Sequence, residues 1–282
     1  MKNILITGAN SYIGTSFEKW LEKYPDKYNI DTVDMKDESW KEKEFSGYDV
    51  IFHVAGIAHI KETKENAELY YKINRDLAYE AAKKAKGDGV NHFIFLSSMS
   101  VYGIETGCIN KETIPSPKSN YGKSKLQAEE LILALQDDKF KLAILRPPMI
   151  YGKGCKGNYP KLAKLATKSP IFPNIENKRS MLYIDNLCEF VRVLINDSMS
   201  GLFLPQNDEY VCTSDMVKLI ANTHGKNIYM TKIFNTILRL LNIGVVNKVF
   251  GDLTYELNNS KLSDVKILSF IDFKISIELT EE

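Results

Sequence analysis

The sequence predicts an α/β fold, a doubly wound parallel sheet followed by a smaller C-terminal lobe that binds substrate. Three observations predict it. Short apolar runs alternate with helical patterns through the first half of the chain. The first of these runs ends in a glycine turn that opens directly into a helix. From about residue 152 the alternation gives way to interleaved Gly, Pro and Lys. The expected division is therefore residues 1–150 for the nucleotide-binding domain with the catalytic residues, and 151–282 for the substrate lobe.

Residues 2–7 (KNILIT) form a short apolar run that reads as a buried strand. Residues 12–24 place Tyr12, Ile13, Phe17, Trp20, Leu21 and Tyr24 at helical spacing, and Pro25 with Asp26 stops that helix. Residues 29–35 and 49–54 read as strands. The interval from Asp34 to Asp49 is short for a full βα unit, so one strand there is expected to be abbreviated. A long helix is expected over 66–86, closed by Gly87 and Gly89. Residues 92–97 read as strand, 121–136 as helix and 140–145 as strand. Such alternation requires parallel βαβ units with right-handed crossovers. Residues 232–250 are apolar with cationic ends and read as a core or interface helix, with contact to a membrane surface as the alternative.

Bulk properties narrow the function. The chain has 282 residues, 44% apolar and 26% charged, with a formal net charge of +1. That balance belongs to a soluble globular protein without the basic field that nucleic acid requires. Cys108, Cys155, Cys188 and Cys212 are scattered with no CxxC pair, so free thiols in a reducing cytoplasm are expected, and no metal site. No secretory signal and no bilayer span is expected.

The first strand runs into Thr7-Gly8-Ala9-Asn10-Ser11-Tyr12-Ile13-Gly14. Glycine lets the backbone turn tightly, and the helix that follows points free N–H groups and a positive dipole end at the turn. Gly8, Asn10, Ser11, Tyr12, Ile13 and Gly14 therefore form an expected pyrophosphate site. Asp34, twenty residues beyond Gly14, can accept hydrogen bonds from an adenosine ribose diol. Its charge favours NAD over NADP, and Lys36 weakens that preference. Ala55 and Gly56, just past the strand at 49–54, and Pro148 complete the expected cofactor contacts.

Tyr121 and Lys125 are four apart on a predicted helix and share one face. A phenol titrates near about 10. A neighbouring ammonium and the positive ring of an oxidised nicotinamide are expected to lower that value, so that Tyr121 can exchange a proton. Ser98 follows the strand HFIFLS, at the end of a sheet where α/β proteins bind ligands, and can donate to a sugar oxygen.

TGANSYIG, FLSSMSVYG, NYGKSKLQAE and LRPPMIYGKG occur in this order. Together they resemble the extended short-chain dehydrogenase/reductase family, in its NAD-dependent, nucleotide-sugar epimerase/dehydratase branch, over nearly the whole chain and most firmly over residues 1–200. The resemblance implies a Rossmann-type fold and a catalytic set of Ser98, Tyr121 and Lys125, with Asn74 as the supporting helix asparagine. Ser11 stands where the family turn has its middle glycine. The branch's 4,6-dehydratases carry an Asp-Glu pair after the active-site hydroxyl, where this chain has Met99 and Ser100, so dehydration is not expected. Met149 replaces an asparagine common at that strand end.

The resemblance also implies a sugar-nucleotide site. Arg179 and Asn158 would bind the diphosphate, Phe172 would pack on a pyrimidine base, and Ser98 and Ser100 would face the sugar. NNSKLSDVKILSF is similar to the family's closing segment. The wording as a whole is similar to bacterial enzymes of capsule and O-antigen synthesis. The expected activity is NAD(P)H-dependent reduction of a UDP-2-acetamido-2,6-dideoxy-4-keto-hexose. A UDP-glucose or UDP-N-acetylglucosamine 4-epimerase is the alternative, and a non-catalytic NAD(P)-binding sensor is the reading of another class. The resemblance further implies a homodimer through helices 66–86 and 121–136.

Overall fold

The computed structural model describes residues 1–58, 60–240, 244–257 and 270–282. In chain order, the first half contains β1 (Lys2–Thr7), α1 (Tyr12–Leu21), β2 (Tyr28–Val33), β3 (Val50–His53), α2 (Ala67–Tyr70), α3 (Leu77–Gly87), β4 (His92–Leu96), β5 (Gly107–Ile109), α4 (Asn120–Leu133), β6 (Lys141–Leu145) and β7 (Met149–Tyr151). The second half contains α5 (Tyr159–Lys168), β8 (Ile171–Pro173), β9 (Met181–Tyr183), α6 (Ile184–Asn196), β10 (Gly201–Phe203), α7 (Thr213–Thr223), β11 (Tyr229–Thr231), α8 (Asn235–Leu240), α9 (Gly244–Phe250), β12 (Leu253–Tyr255) and α10 (Phe273–Glu281). None of the described helices is long and apolar enough to cross a membrane.

The chain forms two compact units. One holds Met1–Gly103, Ile114–Pro147 and Leu187–Pro205; the other holds Ile104–Thr113, Pro148–Asn186 and Gln206–Glu282. A single cut after residue 150 does not describe this division. Residues 187–205 return to the first unit because β10 pairs with β6 and closes the sheet edge, with Gly201 opposite Ala143. Residues 104–113 leave it because β5 pairs with β12, with Gly107 opposite Leu253.

The first unit is built on a six-stranded parallel sheet in the order β10-β6-β4-β3-β1-β2. The strand order turns back at β1, between β2 and β3, which is where open α/β sheets bind ligands. Registers are continuous, from Lys2 opposite Tyr28 to Thr7 opposite Val33, and from Ile4 opposite Val50 to Thr7 opposite His53. Alternate strand residues feed opposite faces. On one face Leu5, Ile51, Phe93 and Phe95 meet Ala78, Ala81, Ala82 and Ala85 of α3 in a single buried cluster. Those alanines recur at helical spacing and let α3 lie close against the strands. On the other face Phe17 of α1 meets Phe52 edge-on, ring centres 5.1 Å apart. The short Asp34–Asp49 interval is a single 3₁₀ turn, Glu38–Lys41, which buries Trp40 in place of a crossover helix.

The second unit has three two-stranded parallel pairs, β7 with β9, β8 with β11 and β12 with β5. Its core joins Tyr151 to Ser276 of α10 by a 2.7 Å hydrogen bond, with the Tyr159 ring stacked 5.5 Å away. Where one helix was expected over 232–250, the structure has α8 and α9, and residues 241–243 lie outside the described set. The segment read as the closing motif, 258–270, lies outside it as well, apart from its last residue.

Candidate active site

The turn after β1 is held open by backbone geometry. Gly8 has φ +100°, and a Cβ there would stand 2.9 Å from the amide nitrogen of Ala55. Only glycine fits, because β1 and β3 end side by side. Asn10 takes the left-handed conformation, φ +61°, which Asn tolerates better than most residues. Ser11 caps α1, its hydroxyl accepting from Gly14 N–H at 3.1 Å. The serine at the family's middle-glycine position thus acts as a helix cap at the start of α1. Tyr12 and Ile13 form the first turn that follows. A Cβ at Gly14 would meet Ser11 Oγ at 2.8 Å and Ile6 at 3.3 Å, so its absence allows α1 to seat against β1.

Asp34 follows β2. Its carboxylate accepts from Lys36 Nζ at 3.1 Å and from the Lys36 amide at 3.0 Å, and these bonds hold it below the usual carboxylate range. The acid and its neighbouring cation therefore occur as a pair. At the end of β3, a Cβ on Gly56 would approach Asn74 Oδ1 to 2.9 Å and Lys125 Nζ to 3.3 Å. The glycine turn, the capped helix end, the acid after β2 and a side-chain-free floor at Gly56 fit a dinucleotide. Pro148 is buried and opens the 148–186 segment of the second unit.

Tyr121 and Lys125 stand on one face of α4, whose start is capped by Ser119. The Ser98 hydroxyl lies beside the Tyr121 phenol. Ser98 Oγ accepts from the Ser100 amide at 3.1 Å and donates to Ser100 Oγ at 3.2 Å, which sets the 3₁₀ turn Met99–Tyr102. That turn carries no carboxylate. Burial raises the phenol above its usual range, and Ser98 partly opposes it. The Lys125 ammonium donates to the Leu96 carbonyl at 2.8 Å and lies 4.8 Å over the Phe95 ring. Burial pulls Lys125 down to about 8.

Asn74 sits in a π-helical turn, Tyr71–Asp76, between α2 and α3. Such turns insert one extra residue and often mark functional positions. Here the turn buries the Asn74 amide fully. Its oxygen accepts from Ile57 N–H at 2.8 Å, and its nitrogen donates to the Ile57 carbonyl at 3.1 Å and to Ser124 Oγ at 3.2 Å. Ser124 donates in turn to the Tyr121 carbonyl at 2.9 Å. The asparagine thus ties the backbone beyond β3 to the helix that carries the tyrosine.

A second layer was not assigned from sequence. Arg146 pairs with Glu129 in the interior, both Glu129 oxygens lying 3.1 Å from Arg146 Nε. Ser97 donates to the same carboxylate, and Arg146 donates to the Tyr102 hydroxyl at 2.9 Å. The network joins α4, the turn that follows Ser98 and the end of β6. Both charges lie within motifs already singled out, QAEE and LRPP. A charge in an otherwise apolar run was the available signal. His53 is also buried, bonded through Nδ1 to Thr7 at 2.7 Å; desolvation and the nearby Lys125 push it down to about 3, so it is neutral.

Of the residues expected to hold the sugar nucleotide, Ser98 and Ser100 belong to the first unit and Arg179, Phe172 and Asn158 to the second. Arg179 donates to the Gly251 carbonyl at 2.8 Å, just past α9, and burial lowers its pKa. Phe172 is 5% exposed and packs on Phe250 at 5.7 Å. It is a core residue here, because its position on β8 faces inward, and stacking on a base would require that contact to open. Asn158 is exposed at the start of α5, and its side chain makes no capping bond.

The NAD dependent epimerase/dehydratase family matches residues 4–202. A UDP-glucose 4-epimerase of Vibrio cholerae is 29% identical over 92% of this chain and 89% of its own length. An N-acetyl-α-D-glucosaminyl-diphospho-ditrans,octacis-undecaprenol 4-epimerase of Escherichia coli O157:H7 is 26% identical over 71% of this chain and 65% of its own. Among solved structures, a Bacillus cereus UDP-glucuronic acid 4-epimerase in complex with NAD has a TM-score of 0.77 at 18% identity, over 99% of this chain and 97% of that one. RMD from Pseudomonas aeruginosa, complexed with NADPH, has a TM-score of 0.75 at 16% identity, over 100% and 98%.

Proposed function

Because this chain belongs to the NAD dependent epimerase/dehydratase family, we propose that it carries out oxidation or reduction at C4 of a nucleotide-linked sugar. The family is NAD dependent, and a nicotinamide dinucleotide is the cofactor. When bound, that group supplies or accepts the hydride. The chain's own residues hold it and manage the proton. Gly8, Ser11, Gly14 and the first turn of α1 receive the pyrophosphate, and Asp34 with Lys36 meets the adenosine ribose. Lys125 lies beside the Gly56 floor and holds the nicotinamide ribose. Tyr121 Oη moves the proton at the sugar oxygen, and Ser98 orients that oxygen.

The direction we favour is reduction of a UDP-linked 4-keto-6-deoxy-amino sugar. What supports it is the resemblance of RPPMIYGKGCKGNYPKLAKL and PNIENKRSMLYIDNL to bacterial enzymes of capsule and O-antigen synthesis that reduce such sugars. Elimination of water would need a carboxyl pair where Met99 and Ser100 stand. A 4-epimerase is the second reading, favoured by the likeness to the Vibrio cholerae protein over nearly the full chain. The two part in one assay. With UDP-4-keto-6-deoxy-HexNAc, a reductase consumes NADH or NADPH in proportion to product. An epimerase interconverts UDP-GlcNAc and UDP-GalNAc with no net change in coenzyme. Coenzyme left unconsumed by the keto sugar rejects reduction.

A further inference from the structure

Charge is unevenly distributed within the second unit. Residues 148–175 carry five lysines and no Asp or Glu, and residues 216–251 carry four lysines and one arginine, again with no acid. The chain as a whole has a net charge of +1, so acids have been excluded locally. The fold brings these two stretches together, because β8 of the first pairs with β11 of the second, Ile171 opposite Tyr229. Glu281 of α10 also reaches this region, but it is nearly buried and both oxygens are engaged, one by the Tyr159 hydroxyl and one by His224.

The cations and the apolar side chains point outward together. Lys161, Lys164, Leu165 and Lys168 recur at helical spacing on the exposed side of α5, while Tyr159, Leu162 and Ala166 are buried. Three residues further, Ile171 is 39% exposed, and its register partner Tyr229 is 68% exposed on the same side of the strand pair. After β11 come exposed Lys232, then Ile233 at 78% and Phe234 at 43%. Isolated exposed hydrophobics are ordinary on a protein surface, but a run of them beside lysines is not.

We propose that this face of the second unit, formed by the outer side of α5, the β8–β11 pair and the Lys232–Phe234 turn, docks on an anionic lipid bilayer. Lysines attract the charged headgroups, and Tyr229, Ile233 and Phe234 enter the interfacial layer. A second copy of the chain is disfavoured, since like charges would face each other. Aliphatic side chains at the centre of the patch favour lipid over nucleic acid.

The test is cosedimentation of the full chain with vesicles of phosphatidylcholine containing one-third phosphatidylglycerol, against phosphatidylcholine alone. Binding to the anionic vesicles only, reversed by salt, is expected. The combined change Lys161→Glu, Lys164→Glu, Lys168→Glu should weaken binding by about a hundredfold. Ile233→Ser with Phe234→Ser should weaken it with the near-ultraviolet circular dichroism unchanged, which separates lost docking from lost fold. Equal partition onto both vesicle types, no partition onto either, or retention of an RNA oligomer in place of vesicles would overturn the proposal.

Discussion

The candidate residues of the two units differ in how they are held. In the first unit each is tied to the next: Gly56 lies against Asn74 and Lys125, Asn74 bonds Ser124, Ser124 bonds the Tyr121 backbone, and Tyr121 meets Ser98. Behind them the Glu129–Arg146 pair locks α4 to the strand end. In the second unit Arg179 bonds backbone carbonyls, Phe172 sits in a small core and Asn158 stands in solvent. The contrast matches the demands of the proposed chemistry. Proton transfer tolerates little misplacement and needs groups fixed beforehand, whereas a diphosphate can be gathered by side chains that turn towards it on binding.

The sharpest way to break this comparison is at the tyrosine. Tyr121→Phe should lower kcat by about 10²–10⁴-fold and leave dinucleotide affinity intact, measured by steady-state turnover beside NADH fluorescence titration. Activity close to the original would remove the phenol from the mechanism.

Next comes the support behind it. Arg146→Met strands the Glu129 charge in the interior, and should cost about 3–5 kcal/mol of stability in urea unfolding. Adding Glu129→Leu should restore much of that loss, while turnover stays depressed if the pair positions α4.

Lysine 125 gives a pH signature. It titrates at about 8 in the folded chain against 10.5 for the ordinary side chain. Between those values the unfolded chain binds more protons, so stability should climb as pH rises through this window, by up to about 3 kcal/mol. Below about 8 the full burial cost is present. Lys125→Met should flatten the slope, and an unchanged slope would mean that the ammonium is not desolvated.

The smallest effect is expected from Arg179→Met. Losing its carbonyl bonds should cost about 1.5–3 kcal/mol. If Arg179 also serves the diphosphate, KM for the sugar nucleotide rises while kcat holds. A KM that does not move makes it a capping residue alone and widens the difference between the units.

Much of the first unit was legible from the chain. The strands at 2–7, 49–54, 92–97 and 140–145 and the helices at 12–24 and 121–136 announce themselves by period and by their breakers, and the structure places each within a few residues. The pair Tyr121 and Lys125 is legible because four-residue spacing converts directly into one helix face. The π-helical turn at Asn74 was not, since one extra residue leaves the apolar period almost undisturbed. The burial that raises the Tyr121 phenol in the chain alone was not legible either. The spacing brings a cation near, but whether burial outweighs it depends on what surrounds the ring.

By itself the sequence determined the local geometry: the glycine turn that opens into a helix, the acid after β2 and the tyrosine–lysine face. These need only a few consecutive residues, and backbone sterics and helical period settle them. Tertiary structure alone decided the rest. The Glu129–Arg146 pair, the return of residues 187–205 to the sheet, the inward turn of Phe172 and the meeting of two acid-free stretches at β8 and β11 each join residues distant in sequence. Such contacts form where burial and strand pairing bring the segments together, and no local pattern encodes the distance between them.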